Sequence, residues 1–231
     1  MFAPTALPEA PATRDLDVLE GEQLSDLRFR GLLAASDWAK LPPGVRRRFS
    51  KRLRDRATTI YTWHVTMCVM SRTGWLLAQA LRVIGAPLPL TRQSGLPTVV
   101  SVTEEGVSGG QNWTRIYARK SGFPQVIHST KRFSGPTGLE EYIGYGIRMA
   151  LTLGVENGAL VFSSAGYFVD IGRFGFALPG WLSPGRTVVT HRETAREQFL
   201  FTLDLTHPWL GTLIRQQALY TEVQACAVAS S

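Results

Sequence analysis

The sequence predicts a mainly β domain of the α+β class: a curved antiparallel sheet or incomplete barrel of about eight strands, with N-terminal helices packed across it. Three observations lead there. From Leu96 onward, short apolar runs recur between Gly, Ser and Pro clusters with no helical pattern separating them, as in an antiparallel meander rather than βαβ units. In the clearest run, Ile147, Met149, Leu151, Leu153 and Val155 alternate with Arg148, Ala150, Thr152 and Gly154, and Asn157-Gly158 behind it is a hairpin turn sequence. Finally, a chain of 231 residues that is 44% hydrophobic can bury a substantial core without disulfides or metals.

Each element has its own signal. Residues 1–22, rich in Ala and Pro, are expected to be a disordered leader, 23–222 one β-rich domain and 223–231 a disordered tail. Glu20 to Arg56 reads as helix broken at Pro42-Pro43. Its second part starts near Val45 and carries Val45, Phe49 and Leu53 four apart, with arginines around the rest. Thr58 to Ser71, dense in β-branched and aromatic residues, predicts a long strand. Arg72 to Ile84 returns to a helical pattern, with Gly85 at the C-cap and Pro87 and Pro89 preventing continuation. Strands are then expected at Leu96–Glu105, Gln111–Arg119, Gln125–Phe133, Ile147–Val155, Ala159–Asp170, Arg186–Glu193, Gln198–Thr206 and Leu210–Glu222. Between them, Thr137 with Glu140 three residues on has the spacing of a capping box for a short helix.

The net charge of +7 is concentrated. Arg46 to Arg56 holds seven bases and one acid, leaving 18 bases and 17 acids in the other 220 residues. The extended basic face of a duplex-binding protein is therefore not expected, and no specific nucleic-acid partner is. The basic segment is either a surface helix with one apolar stripe or a contact for an anionic surface. The longest apolar region, Thr58 to Leu90, is interrupted by Arg72 and Arg82, so no transmembrane helix is expected. The expected compartment is the cytoplasm, with Cys68 and Cys226 reduced.

Several spaced motifs occur in order: Leu41-Pro42-Pro43, Gly110-Gln111-Asn112-Trp113-Thr114-Arg115, Lys131-Arg132-Phe133, Gly135 to Tyr142, Leu178-Pro179-Gly180-Trp181-Leu182, Pro184-Gly185-Arg186 and His207-Pro208-Trp209-Leu210-Gly211. Together, over about residues 25 to 222, they resemble the bacterial family termed domain of unknown function 4166. The resemblance carries no activity to these positions. It implies small-molecule metabolism, because in related bacterial proteins the domain accompanies a reductase-like domain that binds a nucleotide cofactor.

The candidate chemistry lies on strand faces. Trp113, Arg115 and Tyr117 share one face. Pointing inward they would clamp the carboxylate or phosphate of an apolar molecule; pointing outward they would form a cross-strand ladder. Lys131 and Arg132 point to opposite faces, so one of them meets the interior or an edge. Met149 and His191 complete the candidate ligand contacts. Glu141 and Tyr142 offer an acid and a hydroxyl near a cavity mouth, and His207, before Pro208, sits at a strand-end bend, so these three are the candidate proton-transfer groups. His191 and Glu193 with His128 or His207 have metal-ligand chemistry, against which stands a plain hydrogen-bonding role.

Gly144-Tyr145-Gly146 lacks the third glycine and the following helix of a dinucleotide loop, and no P-loop, nucleophile elbow or His-Glu-x-x-His occurs. No cofactor and no metal is expected. The expected function is binding of an apolar or amphipathic small molecule, lipid-like or polycyclic, in the sheet's concavity. The alternative is a cofactor-free isomerase or cyclase using acid–base catalysis in the same cavity.

Overall fold

The β-branched and aromatic run at Thr58–Met70 forms the first strand, β1, and every later strand pairs antiparallel with its neighbours. A computed structural model of the protein describes residues 26–53 and 58–223. The expected leader (1–22) lies outside the described residues, as does the tail beyond Val223.

The remaining strands are β2 (Pro97–Glu104), β3 (Gln111–Tyr117), β4 (Gln125–Arg132), β5 (Glu140–Gly144), β6 (Ile147–Glu156), β7 (Ala159–Ile171), β8 (Phe174–Ala177), β9 (Arg186–Ala195), β10 (Gln198–His207) and β11 (Gly211–Val223). Around the wall the order is β6, β5, β4, β3, β2, β1, β11, β10, β9, β7, and β7 pairs back onto β6. The sheet therefore closes into a ten-stranded barrel, with β8 appended to the end of β7. This corrects the expected incomplete sheet of about eight strands. Closure turns on β5, which the capping-box reading had assigned to a helix and which joins β4 to β6. Glu140 can sit in a strand because both its oxygens are held on the outer face, by Arg148 at 3.1 Å and Ser134 at 2.8 Å. The Asn157-Gly158 turn joins β6 to β7, both residues at positive φ (49° and 73°), as a two-residue hairpin of this twist requires.

The N-terminal segment forms three short helices: α1 (Arg28–Gly31), α2 (Ala35–Ala39) and α3 (Pro43–Phe49). The proline pair marks the start of α3, since a proline at the first helical position loses no hydrogen bond. A barrel's diameter grows with strand number, and ten strands leave more room than their own side chains fill. The helices plug that room at the end where β1 begins, the helical end. Phe29 packs edge-on against Phe49 and Phe133, with ring centroids 5.3 and 4.8 Å apart, and Phe49 also meets Phe162 of β7. Glu193 of β9 accepts the Gly44 amide at 3.0 Å and anchors the start of α3.

The opposite, loop end holds α4 (Arg72–Ala80), capped by Ser71, which accepts from the Gly74 amide at 3.0 Å. A turn of 3-10 helix, Leu81–Ile84, extends it to Gly85 at φ 90°, where the expected C-cap stands. The segment after it crosses the barrel end: Gln125 binds the carbonyls of Ala86 and Leu88 and the amide of Leu90.

Candidate functional site

Strand alternation sends Trp113, Arg115 and Tyr117 of β3 inward, along with Ser129 and Lys131 of β4, Glu141 of β5, Met149 of β6 and His191 of β9. The inward reading of the β3 triplet is the one the fold adopts. A charge inside a barrel is costly unless partnered, and Arg115 is. One of its nitrogens donates to Glu141 at 3.2 Å and another to Ser129 at 3.1 Å, while Lys131 donates to the second Glu141 oxygen at 3.2 Å. Register explains the meeting, because Lys131 and Glu141 are direct cross-strand partners on β4 and β5.

This centre has distinct electrostatics. Burial alone would raise the Glu141 carboxyl, but Lys131 and then Arg115 bring it down to about 2. Burial is also the main influence on Lys131 and lowers its ammonium, with Glu141 opposing. The Lys131 ammonium lies 4.9 Å from the centre of the Trp113 ring and 5.4 Å from that of Phe162.

On the far side of Trp113 stands His191, ring centroids 6.2 Å apart, walled by Phe49, Phe162 and Phe201. Burial, then the charges of Arg48, Lys131 and Arg115, hold it well below the ordinary histidine value, so it is neutral. Its Nδ1 is 2.9 Å from the Tyr220 hydroxyl. That hydroxyl accepts from Arg48, and a neutral imidazole fits as the acceptor of the Tyr220 proton.

Arg48 is the residue that sequence reasoning missed. The sequence pattern puts it among the arginines outside the apolar stripe, whereas it is buried 4.1 Å from the Tyr61 ring, 4.5 Å from Tyr220 and 5.0 Å from Phe199. Its three-residue spacing from buried Val45 was the available signal. Among the described residues no carboxylate pairs with Arg48, and its Nε has no hydrogen-bond partner. A void of about 20 Å³ beside it, bordered by Tyr61, Gln111 and Trp113, has room for one water. Of the rest of the basic segment, Lys51 pairs with Glu222 and Arg52 with Glu104, Arg46 and Arg47 have no carboxylate partner among the described residues, and Arg54 and Arg56 lie outside those residues.

Other candidates do not join this centre. Arg132 faces outward, its guanidinium 4.2 Å over the Tyr142 ring, so neither residue reaches the interior. The reason is parity: each neighbours an inward residue, Lys131 and Glu141, on its own strand. His207 sits at the loop end against Trp209, and its Nδ1 accepts the Trp209 amide at 3.3 Å. His128 pairs with Thr114 on the barrel's outer face and Glu193 with Gly44. Among the described residues no three His, Cys, Asp or Glu side chains group to hold a metal ion.

These features define a class: a closed antiparallel barrel, plugged by helices at one end, with a cationic, aromatic-lined interior. Residues 41–219 match the model of a family described as domain of unknown function (DUF4166), and the chain belongs to that family. No curated protein and no solved structure matches it. Among the described residues no helix is long and apolar enough to cross a membrane.

Proposed function

We propose that this barrel binds a small molecule with an apolar body and an anionic head, the head meeting the Arg115–Glu141–Lys131 centre. The observation that carries the reading is the charge balance of the interior. Arg115 and Lys131 share one carboxylate, Glu141, and Arg48 beside Tyr220 has none among the described residues, so this part of the interior holds an excess of cations beside aromatic walls. Guanidinium groups pair with carboxylate or phosphate in bidentate fashion, and Trp113, Tyr117 and Met149 supply apolar surface beside them. The void beside Arg48 is too small for such a ligand, and the part of the centre that solvent reaches is the Arg115–Glu141 pair, whose side chains keep 15% and 12% of their exposure.

Native mass spectrometry of freshly purified protein, followed by solvent extraction, tests this. A stoichiometric adduct bearing an acidic group is expected, and Arg115→Met should lose it while remaining folded. A clean apo mass from several expression hosts would overturn the reading.

A second reading, a cofactor-free acid–base enzyme, is favoured by the convergence of His191–Tyr220 and Lys131–Glu141 around Trp113. Neutral His191 has the protonation state of a base, whereas Glu141 is too firmly ionised to act as an acid. This reading expects the extracted compound to be converted by wild-type protein and left unchanged by His191→Gln.

A further inference from the structure

We infer that the loop end of the barrel docks on an anionic phospholipid bilayer, with a headgroup phosphate seated in a groove between α4 and the β3–β4 loop. The inference stands apart from the identity of any interior ligand.

The first observation is where the exposed aromatic side chains lie. Trp75 belongs to α4, Phe123 to the β3–β4 loop and Tyr145 to the β5–β6 turn. Phe174 and Phe176 come from β8, Trp181 from the β8–β9 loop and Trp209 from the β10–β11 turn. All follow the strand ends opposite α1–α3, and among the described residues no aromatic side chain is comparably exposed at the helical end. Phe123 is 91% exposed, and Trp209, despite its edge contact with His207, is 75% exposed, so both leave large apolar surface facing water.

The second observation is charge. The stretch from Ser71 to Leu96 carries Arg72, Arg82 and Arg92 and no acid. The β3–β4 loop adds Arg119 and Lys120, and Arg173 and Arg186 flank β8 and its loop. The carboxylates toward this end, among the described residues, are Asp170, which Arg148 already binds at 3.0 Å, and Asp204, which Arg215 binds. Among the described residues none of the seven cations is in an ion pair with a carboxylate.

Third, a groove of about 560 Å³ opens between Trp75, Arg92, Arg119 and Lys120, with Thr91 and Ser121 at its sides. It offers three cations and hydroxyl donors beside an indole, with no carboxylate lining it. Indole and phenol rings partition to the headgroup layer, and clustered Arg and Lys bind anionic lipid. Exposed aromatics, cations without a carboxylate partner and an open groove with room for a lipid headgroup, all at one end of the barrel, match that surface chemistry. A second copy of the chain would meet like charge with like.

The test is co-sedimentation of the full chain with vesicles of phosphatidylcholine, with and without phosphatidylserine. Binding is expected only to the anionic vesicles and should weaken as salt is raised. The triple variant R92Q/R119Q/K120Q should lose about a hundredfold in partitioning, at about fivefold per cation. Trp181→Ser with Trp209→Ser should also lose binding, and both variants should keep the wild-type thermal midpoint because the altered side chains lie on the surface or line the open groove. Arg30→Gln with Arg47→Gln, at the helical end, should bind as wild type. Equal loss in that control, or no binding to anionic vesicles, overturns the inference. So does a stable dimer in sedimentation velocity that the tryptophan variant converts to monomer.

Discussion

Glu141 has two jobs that pull against each other. It neutralises Lys131 and Arg115 in the barrel interior, yet it leaves a surplus of cations around it. Removing its charge strands two cations away from water. Glu141→Gln should therefore cost about 3–5 kcal/mol of folding stability, read as a drop in the denaturant midpoint. An unchanged midpoint would mean that the two cations find water where they stand. His191 sets a different dependence. Its folded pKa lies well below the ordinary value, so on acidification through about pH 6.5 the unfolded chain takes up a proton that the folded one refuses. Its contribution is full above that pH and is lost as pH falls, at about 1.4 kcal/mol per pH unit. Denaturation of wild type and His191→Gln between about pH 7.5 and about pH 5, a window that spans the ordinary histidine value, should show the steeper loss in wild type. Parallel curves would place His191 in contact with water.

At the scale of elements, the junctions are tighter than the strands. A Cβ built on Gly74 would lie 2.1 Å from the Leu213 carbonyl oxygen, which is backbone and cannot rotate away. The first turn of α4 is thus docked on β11 only because residue 74 has no side chain. Gly74→Ala should lose about 1–3 kcal/mol despite alanine's better helix propensity, and the thermal midpoint should fall accordingly. A neutral or raised midpoint would show α4 free to shift outward. The same scale shows where pattern reading works. Alternation and turn residues located β1 and the long strands to within a few residues, because half-buried strands must alternate. They missed β5 and β8, five and four residues long, where the pattern is too short to stand out. The capping-box spacing at Thr137 and Glu140 was real, but cross-strand bonds to β4 and β6 outweighed it.

The whole molecule has two unlike ends. Phe29, Phe49 and Arg48 fill one; exposed aromatics and unpaired cations ring the other. Summed along the sequence, the residues outside Arg46 to Arg56 are almost neutral, and that sum hides the separation. Folding gathers Arg82, Arg119 and Arg186, far apart in the chain, at one end of the barrel, while it buries Arg48 and pairs Lys51 and Arg52. The sequence by itself determined the mainly β class, the antiparallel order, the Asn-Gly hairpin and the shared face of Trp113, Arg115 and Tyr117, since each follows from local periodicity or turn chemistry. Only the tertiary structure decided that the barrel closes with ten strands, that this face is the inner one and that Glu141 rather than Tyr142 meets the cations. It also decided that Arg48 enters the core. Those outcomes depend on register and closure between strands distant in sequence, which no local pattern encodes.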